Sequence, residues 1–387
     1  MSAGERWVEV GGRRFESDRS LTYSAARREV LIHGADGSAE IVGDDLWTVL
    51  RGLLEDGLTA AGYLGYACRP DLPARPAVDV PDAVLVLCAS DSPASRGNLM
   101  LLGETSPHNI RFHRSAGETN TVPPAYRTAF AQVQEALHAG DTYETNLTYR
   151  LTRTSTRTPD QIRAALEPTP YAGMLVHDVP GARAWLISAS PERYATIRHG
   201  IVETKPIKGT LPRGVTPEED AANAERLRTD PRFRAENLMI TDLLRNDVGQ
   251  VCEQGSVEVT SLMAVESYAS VHQLVTTVRG RLRAGVTTLD AVHALFPAGS
   301  MTGAPKLRTM EVIDRVEATP RGAYAGAFGW ISRDAADLGV VIRSLTSPDA
   351  HTWTLGTGGG ITVHSAVEEE YEETRWKAAR LLSALSL

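Results

Sequence analysis

TKPIKGTLPR, residues Thr204 to Arg213, sets a lysine, Lys208, between an apolar residue and a Gly-Thr pair. Pro206 and Ile207 read as the end of a buried strand. Gly209 permits a sharp turn and a close backbone approach, and Thr210 offers a hydroxyl beside it. An ammonium in such a place is partly desolvated. Burial disfavours the charged form, so the Lys208 pKa is expected to fall, which is how a lysine becomes a nucleophile. Alone, the segment also reads as a loop with an ordinary surface lysine. The rest of the chain decides between the two.

The chain has 387 residues, 42% hydrophobic and 23% charged, which suits a globular protein with a sizeable core rather than a disordered one. Its net charge is -8, and no run of Lys or Arg interrupts the acidic balance, so no nucleic acid partner is expected. The first residues, MSAGERWVEVGGRR, contain no apolar core of a signal peptide. No apolar run reaches the roughly 20 residues that a membrane span needs, so no membrane partner is expected. Cys68, Cys88 and Cys252 are scattered and odd in number. That argues against a disulfide framework or a cysteine metal site and suits a reducing cytoplasm.

Outward from Thr204, strand-like and helix-like patterns alternate, so the class is mixed α and β. Arg28 to His33, Gly62 to Cys68 and Ala83 to Ala89 read as strands, and RPDLPARPAVDVPD (Arg69 to Asp82) as a long loop. SAGETNTVPP (Ser115 to Pro124) is the best internal boundary. Beyond it, Tyr126, Phe130, Val133 and Leu137 form one stripe of a helix over Ala125 to Ala139. TYETNLTYRLTRT (Thr142 to Thr154) alternates as a strand.

Two helices carry carboxylates on apolar faces. In AENLMITDLLRNDVG (Ala235 to Gly249), with a glycine expected to end the helix, Glu236 shares its face with Met239, Ile240 and Leu243. Such a carboxylate needs a cationic partner or a metal, and an arginine would serve equally well. In EEEYEETRWKAARLLSAL (Glu368 to Leu385), Glu370, Glu373 and Lys377 lie on one stripe that continues into Leu381 and Ala384. An exposed i,i+4 Glu-Lys pair is the bland alternative. Two inward carboxylates from separate helices suit a hard divalent cation such as Mg²⁺, which takes oxygen ligands and keeps several waters.

Two glycine-rich stretches read as turns: FPAGSMTGAPK (Phe296 to Lys306), leading into a helix from Lys306 to Val316, and TGGGIT (Thr357 to Thr362), following a strand. Neither has the spacing of a nucleotide fingerprint. Both can present backbone N–H groups to a carboxylate, the first at a helix N-terminus.

With SPERY (Ser190 to Tyr194), VHQLVTTVRG (Val271 to Gly280), RGAYAGAFGW (Arg321 to Trp330), VIRS (Val341 to Ser344) and EYEETRWKA (Glu370 to Ala378), these segments resemble, in order, the chorismate-utilising family. Its members include anthranilate synthase component I, aminodeoxychorismate synthase component I, and the isochorismate and salicylate synthases. The resemblance implies an α+β fold of the anthranilate synthase component I type, two packed antiparallel β-sheets flanked by helices. It implies an N-terminal region over residues 1–118 and a chorismate-binding catalytic region over 119–387, intertwined in one fold. Glu236 and Glu373 would hold Mg²⁺, with Glu370 supporting them through water. Gly209, Thr210, Tyr324, Arg343, Gly358, Gly359, Gly360 and Lys377 would hold the substrate carboxylates, the Arg343 fork matching one of them bidentately. Glu192 would be the general acid at the C4 hydroxyl, with a pKa raised by burial. His272 lies in the family's active-site region and is taken as a catalytic candidate.

Two positions point to a branch. Water-adding members carry a lysine where this chain has Glu144, which favours amination. The amination branches differ at Lys208: anthranilate synthases resemble PIAGT and aminodeoxychorismate synthases PIKGT. A Lys208 adduct at C2 would direct nitrogen to C4 and yield 4-amino-4-deoxychorismate. Amination at C2, giving anthranilate or 2-amino-2-deoxyisochorismate, stays open, because FPAG resembles the anthranilate branch. A non-catalytic homologue is opposed by the presence of Glu192, Lys208, Glu236 and Glu373. No glutaminase elbow is evident, so the resemblance implies a separate glutamine amidotransferase subunit as the ammonia source. No pyridoxal lysine motif appears, so a lyase would be a separate protein. Phe233 replaces a frequent acidic residue near the metal site. No Leu-Leu-Glu-Ser motif is present, so inhibition by tryptophan is not expected.

Overall fold

The computed structural model describes residues 4–89, 95–96 and 121–386. Two antiparallel sheets lie face to face, with helices outside both. The first runs in the order Gly303–Ala304, Glu144–Thr154, Thr352–Ile361, Ser344–Ser347, Ala184–Ser190, Tyr171–His177, Arg6–Val10, Arg13–Glu16, Ser95–Arg96. The second runs Ile207–Pro212, Val271–Arg281, Ile201–Lys205, Arg193–Arg198, Ala336–Val340, Ala327–Ile331, Leu58–Leu64, Ala83–Ala89, Ser20–Ser24, Glu29–His33, Ala39–Gly43, with Glu258–Ser267 paired to Val271–Arg281. Strands from both ends of the chain enter each sheet. Among the described residues no helix is long and apolar enough to cross a membrane.

Side chains alternate across a strand, so a sheet covered on both faces must be apolar at odd and even positions alike. Val8, Val10, Leu175 and Leu186 of the first sheet meet Ala61, Tyr63, Val84, Val86 and Phe328 of the second. Their neighbours Trp7, Met174, Val176 and Ile187 turn the other way, onto Ala378, Leu381 and Leu385 of the C-terminal helix Val367–Leu385. On the second sheet, Ala60, Leu64, Leu85 and Leu87 face the helices Leu46–Glu55, Pro231–Gly249 and Thr288–Leu295. Burying each large apolar side chain contributes roughly 1.5–3 kcal/mol.

The expected helix around Tyr126 spans Pro124–His138 and buries all four stripe residues. Of the expected boundary, Ser115 to Asn120 lies outside the described residues. The expected strand to Cys68 ends at Leu64, and Tyr66–Cys68 is a short 3₁₀ turn. The helix containing Glu236 begins at Pro231, because the Asp230 side chain accepts from the Arg232 N–H and Pro231 suits the first helical position. Its end differs from expectation too: Gly249 is still helical, and Gln250 closes the helix by donating its N–H to Asn246 and Asp247 carbonyls. All three cysteines are free and buried.

Between the sheets lies a polar link. The Ser20 hydroxyl meets His177 Nε2 at 2.8 Å, Thr22 meets His33 Nε2 at 2.8 Å, and the two imidazoles are 5.6 Å apart. Burial holds both at about 4, and the Arg6 guanidinium adds to the depression. Both are therefore neutral in the fold. As pH falls below the ordinary 6.5, the unfolded chain takes up protons that the folded chain refuses. Their contribution is complete above 6.5 and declines between 6.5 and 4 by up to roughly 3 kcal/mol each. Urea denaturation at pH 7 and pH 5 is expected to show this loss, and a His33→Asn/His177→Gln double variant is expected to lose less on acidification. An equal loss in both proteins would refute the assignment.

Candidate active site

Lys208 does not sit in a turn. It lies in the strand Ile207–Pro212, at a β-bulge against Val271–Arg281: Ile207 opposes Val275 and Thr210 opposes Gln273, so Lys208 and Gly209 share the place opposite Leu274. A bulge re-aims its side chains. Gly209 takes φ +98, a region that disfavours any Cβ, and a Cβ there would also meet Leu227 and Phe233 at 3.2 Å. Lys208 is thereby turned inward, 9% exposed, and its ammonium donates to Glu144 Oε1. Glu144 is 1% exposed.

This overturns the expected direction of the Lys208 pKa. Burial does oppose the charge, but the carboxylates of Glu144, Glu236 and Glu192 outweigh it and hold Lys208 above its ordinary value. The free protein carries an ammonium there, not an amine.

Glu192 follows the strand Ala184–Ser190 and is 5% exposed. The Ser300 hydroxyl donates to its Oε1. Burial raises its pKa to about 7, against that hydrogen bond and the charges of Lys208, Arg343 and Lys377. Residues from four separate segments are thus near enough for their charges to act on one another. Ser300 belongs to FPAGSMTGAPK. That stretch also forms the short strand Gly303–Ala304, paired to Thr145 and Glu144. Lys306, at the start of the helix Lys306–Val316, is bound at 2.7 Å to Asp247. Here the stretch positions Glu192 and Glu144 through its own side chains and backbone.

TGGGIT also departs from the expected turn. Gly358, Gly359 and Gly360 continue the strand Thr352–Ile361, opposite Thr148, Leu147 and Asn146. The neighbour on the other side, Ser344–Ser347, pairs only as far as Leu355. The outer edge of the three glycines therefore has no strand partner among the described residues, and Lys377 reaches it, donating to the Gly358 carbonyl at 3.1 Å. A Cβ on Gly360 would stand 2.5 Å from Glu144 Oε1 and 3.1 Å from Lys208 Nζ, and one on Gly359 3.2 Å from Glu370 Oε2. Glycine is needed because the strand is the floor under these charges.

Arg343 and Ala325, next to Tyr324, adopt φ +47 and +65, uncommon for residues with a Cβ. Among the described residues the Arg343 guanidinium has no ion pair or hydrogen bond. Burial lowers its pKa, as does nearby Arg380, against Glu192 and Glu167. Tyr324 is buried, its ring packed over Gly356, and burial raises its hydroxyl to about 12.

The carboxylates meet as follows. Arg232 donates to Glu236 at 3.3 Å and to Glu370 at 2.5 Å, while Glu373 pairs with Lys377 at 2.7 Å. Burial raises Glu236 to about 7, with Glu144 and Glu370 adding to the rise. Glu373 is 45% exposed, and Lys377 holds it below the usual carboxylate range. Among the described residues no group of three His, Cys, Asp or Glu is placed to hold a metal ion by itself. The oxygen-only donors of Glu236 and Glu373 are of the kind that Mg²⁺ takes, since it uses one or two protein carboxylates and completes its shell from water and substrate.

His272 stands apart. Its Nδ1 meets Ser267 at 2.8 Å and its Nε2 meets Asp220 at 2.9 Å, on the helix Pro217–Thr229. No described contact joins it to Lys208 or Glu192. Reading from sequence missed Ser300, Arg232 and the partnership of Glu144 with Lys208. Only Arg232 left a local trace, the i,i+4 spacing to Glu236.

A family model described as chorismate binding enzyme matches residues 48–383. An aminodeoxychorismate synthase of Streptomyces pristinaespiralis is 40% identical over 372 residues, 86% of this chain and 51% of that protein. Aminodeoxychorismate synthase component 1 of Klebsiella aerogenes is 41% identical over 304 residues, 77% of this chain and 66% of that protein. The chain thus spans about half to two thirds of the length of these relatives. The crystal structure of anthranilate synthase component I from Streptococcus pneumoniae shares the fold, with a TM-score of 0.76 at 24% identity, over 97% of this chain and 92% of that one. The expected fold is borne out, and the chain belongs to the chorismate binding enzyme family.

Proposed function

We propose that this protein aminates chorismate at C4, giving 4-amino-4-deoxychorismate, with ammonia from a separate glutamine amidotransferase subunit. The observation that carries this reading is Lys208, turned inward at a β-bulge, near enough to the buried acid Glu192 for its charge to act on it. The Lys208 amine bonds to C2, the ring double bonds shift, and the C4–O bond breaks as Glu192 gives its proton to the departing hydroxyl. Ammonia then bonds to C4 as the C2–N bond breaks and Lys208 is released. Two displacements replace one difficult substitution. Arg343, Lys377, Tyr324 and the open edge of Gly358–Gly360 suit the substrate carboxylates, with Gly209 and Thr210 beside them. Mg²⁺ would be held by Glu236 and Glu373, with Glu370 reached through water, and when bound it neutralises a ring carboxylate. The naming of relatives as component 1 supports a partner subunit. Three free, buried cysteines suit a cytoplasmic setting.

Amination at C2 is the second reading. It is favoured by the paired, protonated state of Lys208, which cannot attack. Chorismate, Mg²⁺ and an ammonium salt, followed by an added aminodeoxychorismate lyase, distinguish the two. Chromatography is expected to give 4-aminobenzoate. 2-Aminobenzoate would establish C2 amination, and no turnover would remove both readings.

A further inference from the structure

Lys208 must lose a proton before it can attack, and the structure supplies a specific acceptor. Four carboxylates bear on its charge: Glu144 on the strand Glu144–Thr154, Glu236 on the helix Pro231–Gly249, Glu192 after the strand Ala184–Ser190, and Glu373 on the helix Val367–Leu385. Glu144 is the one that accepts a hydrogen bond from Nζ. Glu236 is engaged by Arg232, Glu192 by Ser300 and Glu373 by Lys377. The second oxygen of Glu144, Oε2, is buried and has no hydrogen-bond partner. That oxygen has lone pairs engaged by no other group and is a place where a proton can be put. The open face of Gly360 leaves room for both groups side by side, since a Cβ there would stand 2.5 Å from Glu144 Oε1 and 3.1 Å from Lys208 Nζ.

We propose that Glu144 is the catalytic proton acceptor and donor of Lys208. This rests on the covalent reading above. A proton passes from the Nζ ammonium to Glu144, leaving a neutral amine and a neutral carboxylic acid. The pair keeps its net charge, so the exchange needs no proton from solvent. The amine bonds to C2, and the hydroxyl leaves C4 with the Glu192 proton as water. When ammonia has bonded to C4 and the C2–N bond has broken, the amine recovers its proton from Glu144. The incoming ammonium ion gives up one proton before it attacks, and Glu192, left as carboxylate, takes it. Protons and electron pairs therefore balance over the cycle.

The test is the pH profile of kcat for Glu144→Gln, with saturating chorismate, Mg²⁺ and ammonium salt. Glutamine keeps the shape and the hydrogen bond but cannot take the proton, so Lys208 must lose it to solvent. At pH 6.5–7 a ten- to hundredfold loss is expected, narrowing as pH approaches 9, with the KM for chorismate within about threefold. Glu144→Asp, which retains an acidic acceptor, is expected to be slower but without the new acid limb. A Glu144→Gln profile parallel to wild type, or a faster rate at pH 7, would overturn the inference while leaving the C4 reading intact. A wild-type protein that makes no 4-amino product overturns the underlying reading, and this inference with it.

Discussion

Lys208→Ala is expected to reduce formation of the C4 amine by at least about a hundredfold, or roughly 2.7 kcal/mol of barrier, and to divert what remains toward C2. The argument is geometric and regiochemical. Position 208 is a bulge residue turned inward next to the left-handed Gly209, and its charge acts on Glu192, the acid proposed for the departing hydroxyl. Without the amine, ammonia meets C2 itself, and loss of the C4 hydroxyl leaves nitrogen there. Removing Lys208 also leaves Glu144 buried without its cation, so the thermal midpoint should be recorded with the product ratio. A folded variant making the C4 product at the wild-type rate would exclude the covalent step.

Glu192→Gln is expected to lower kcat by about 10²–10⁴-fold with a modest change in KM, the range for losing a positioned general acid. Burial holds the Glu192 carboxyl at about 7, so its acid form prevails below that pH and disappears above it. Wild-type amination should therefore fall as pH rises through about 7, and the variant should lack that limb. Ser300 belongs to the same unit: its hydroxyl donates to Glu192 and favours the anion, so Ser300→Ala should move the limb upward. A wild-type profile still rising above pH 8 would be inconsistent with a Glu192 acid.

Class and cast were legible in the residues alone. The helical stripe marks the buried face of Pro124–His138, because side-chain spacing follows from local backbone geometry, whereas the strand Glu144–Thr154 is buried on both faces over its first five residues, so its alternation told the strand but not its burial. The ordered motifs pointed to the family, and the α+β fold followed from them. The relations across long stretches of chain come from the fold. Lys208 finds Glu144 64 positions away, Glu192 finds Ser300 at 108 and Arg232 finds Glu370 at 138. Each relation reverses or completes a local expectation. Desolvation alone argued for a lowered Lys208 pKa, and a carboxylate from the other sheet raises it instead. Three consecutive glycines argued for a turn, yet they are a strand left uncovered where its neighbour ends. Charge–charge energies depend on distance and on exclusion of water, and both are set only when the two sheets and their helices close on one another.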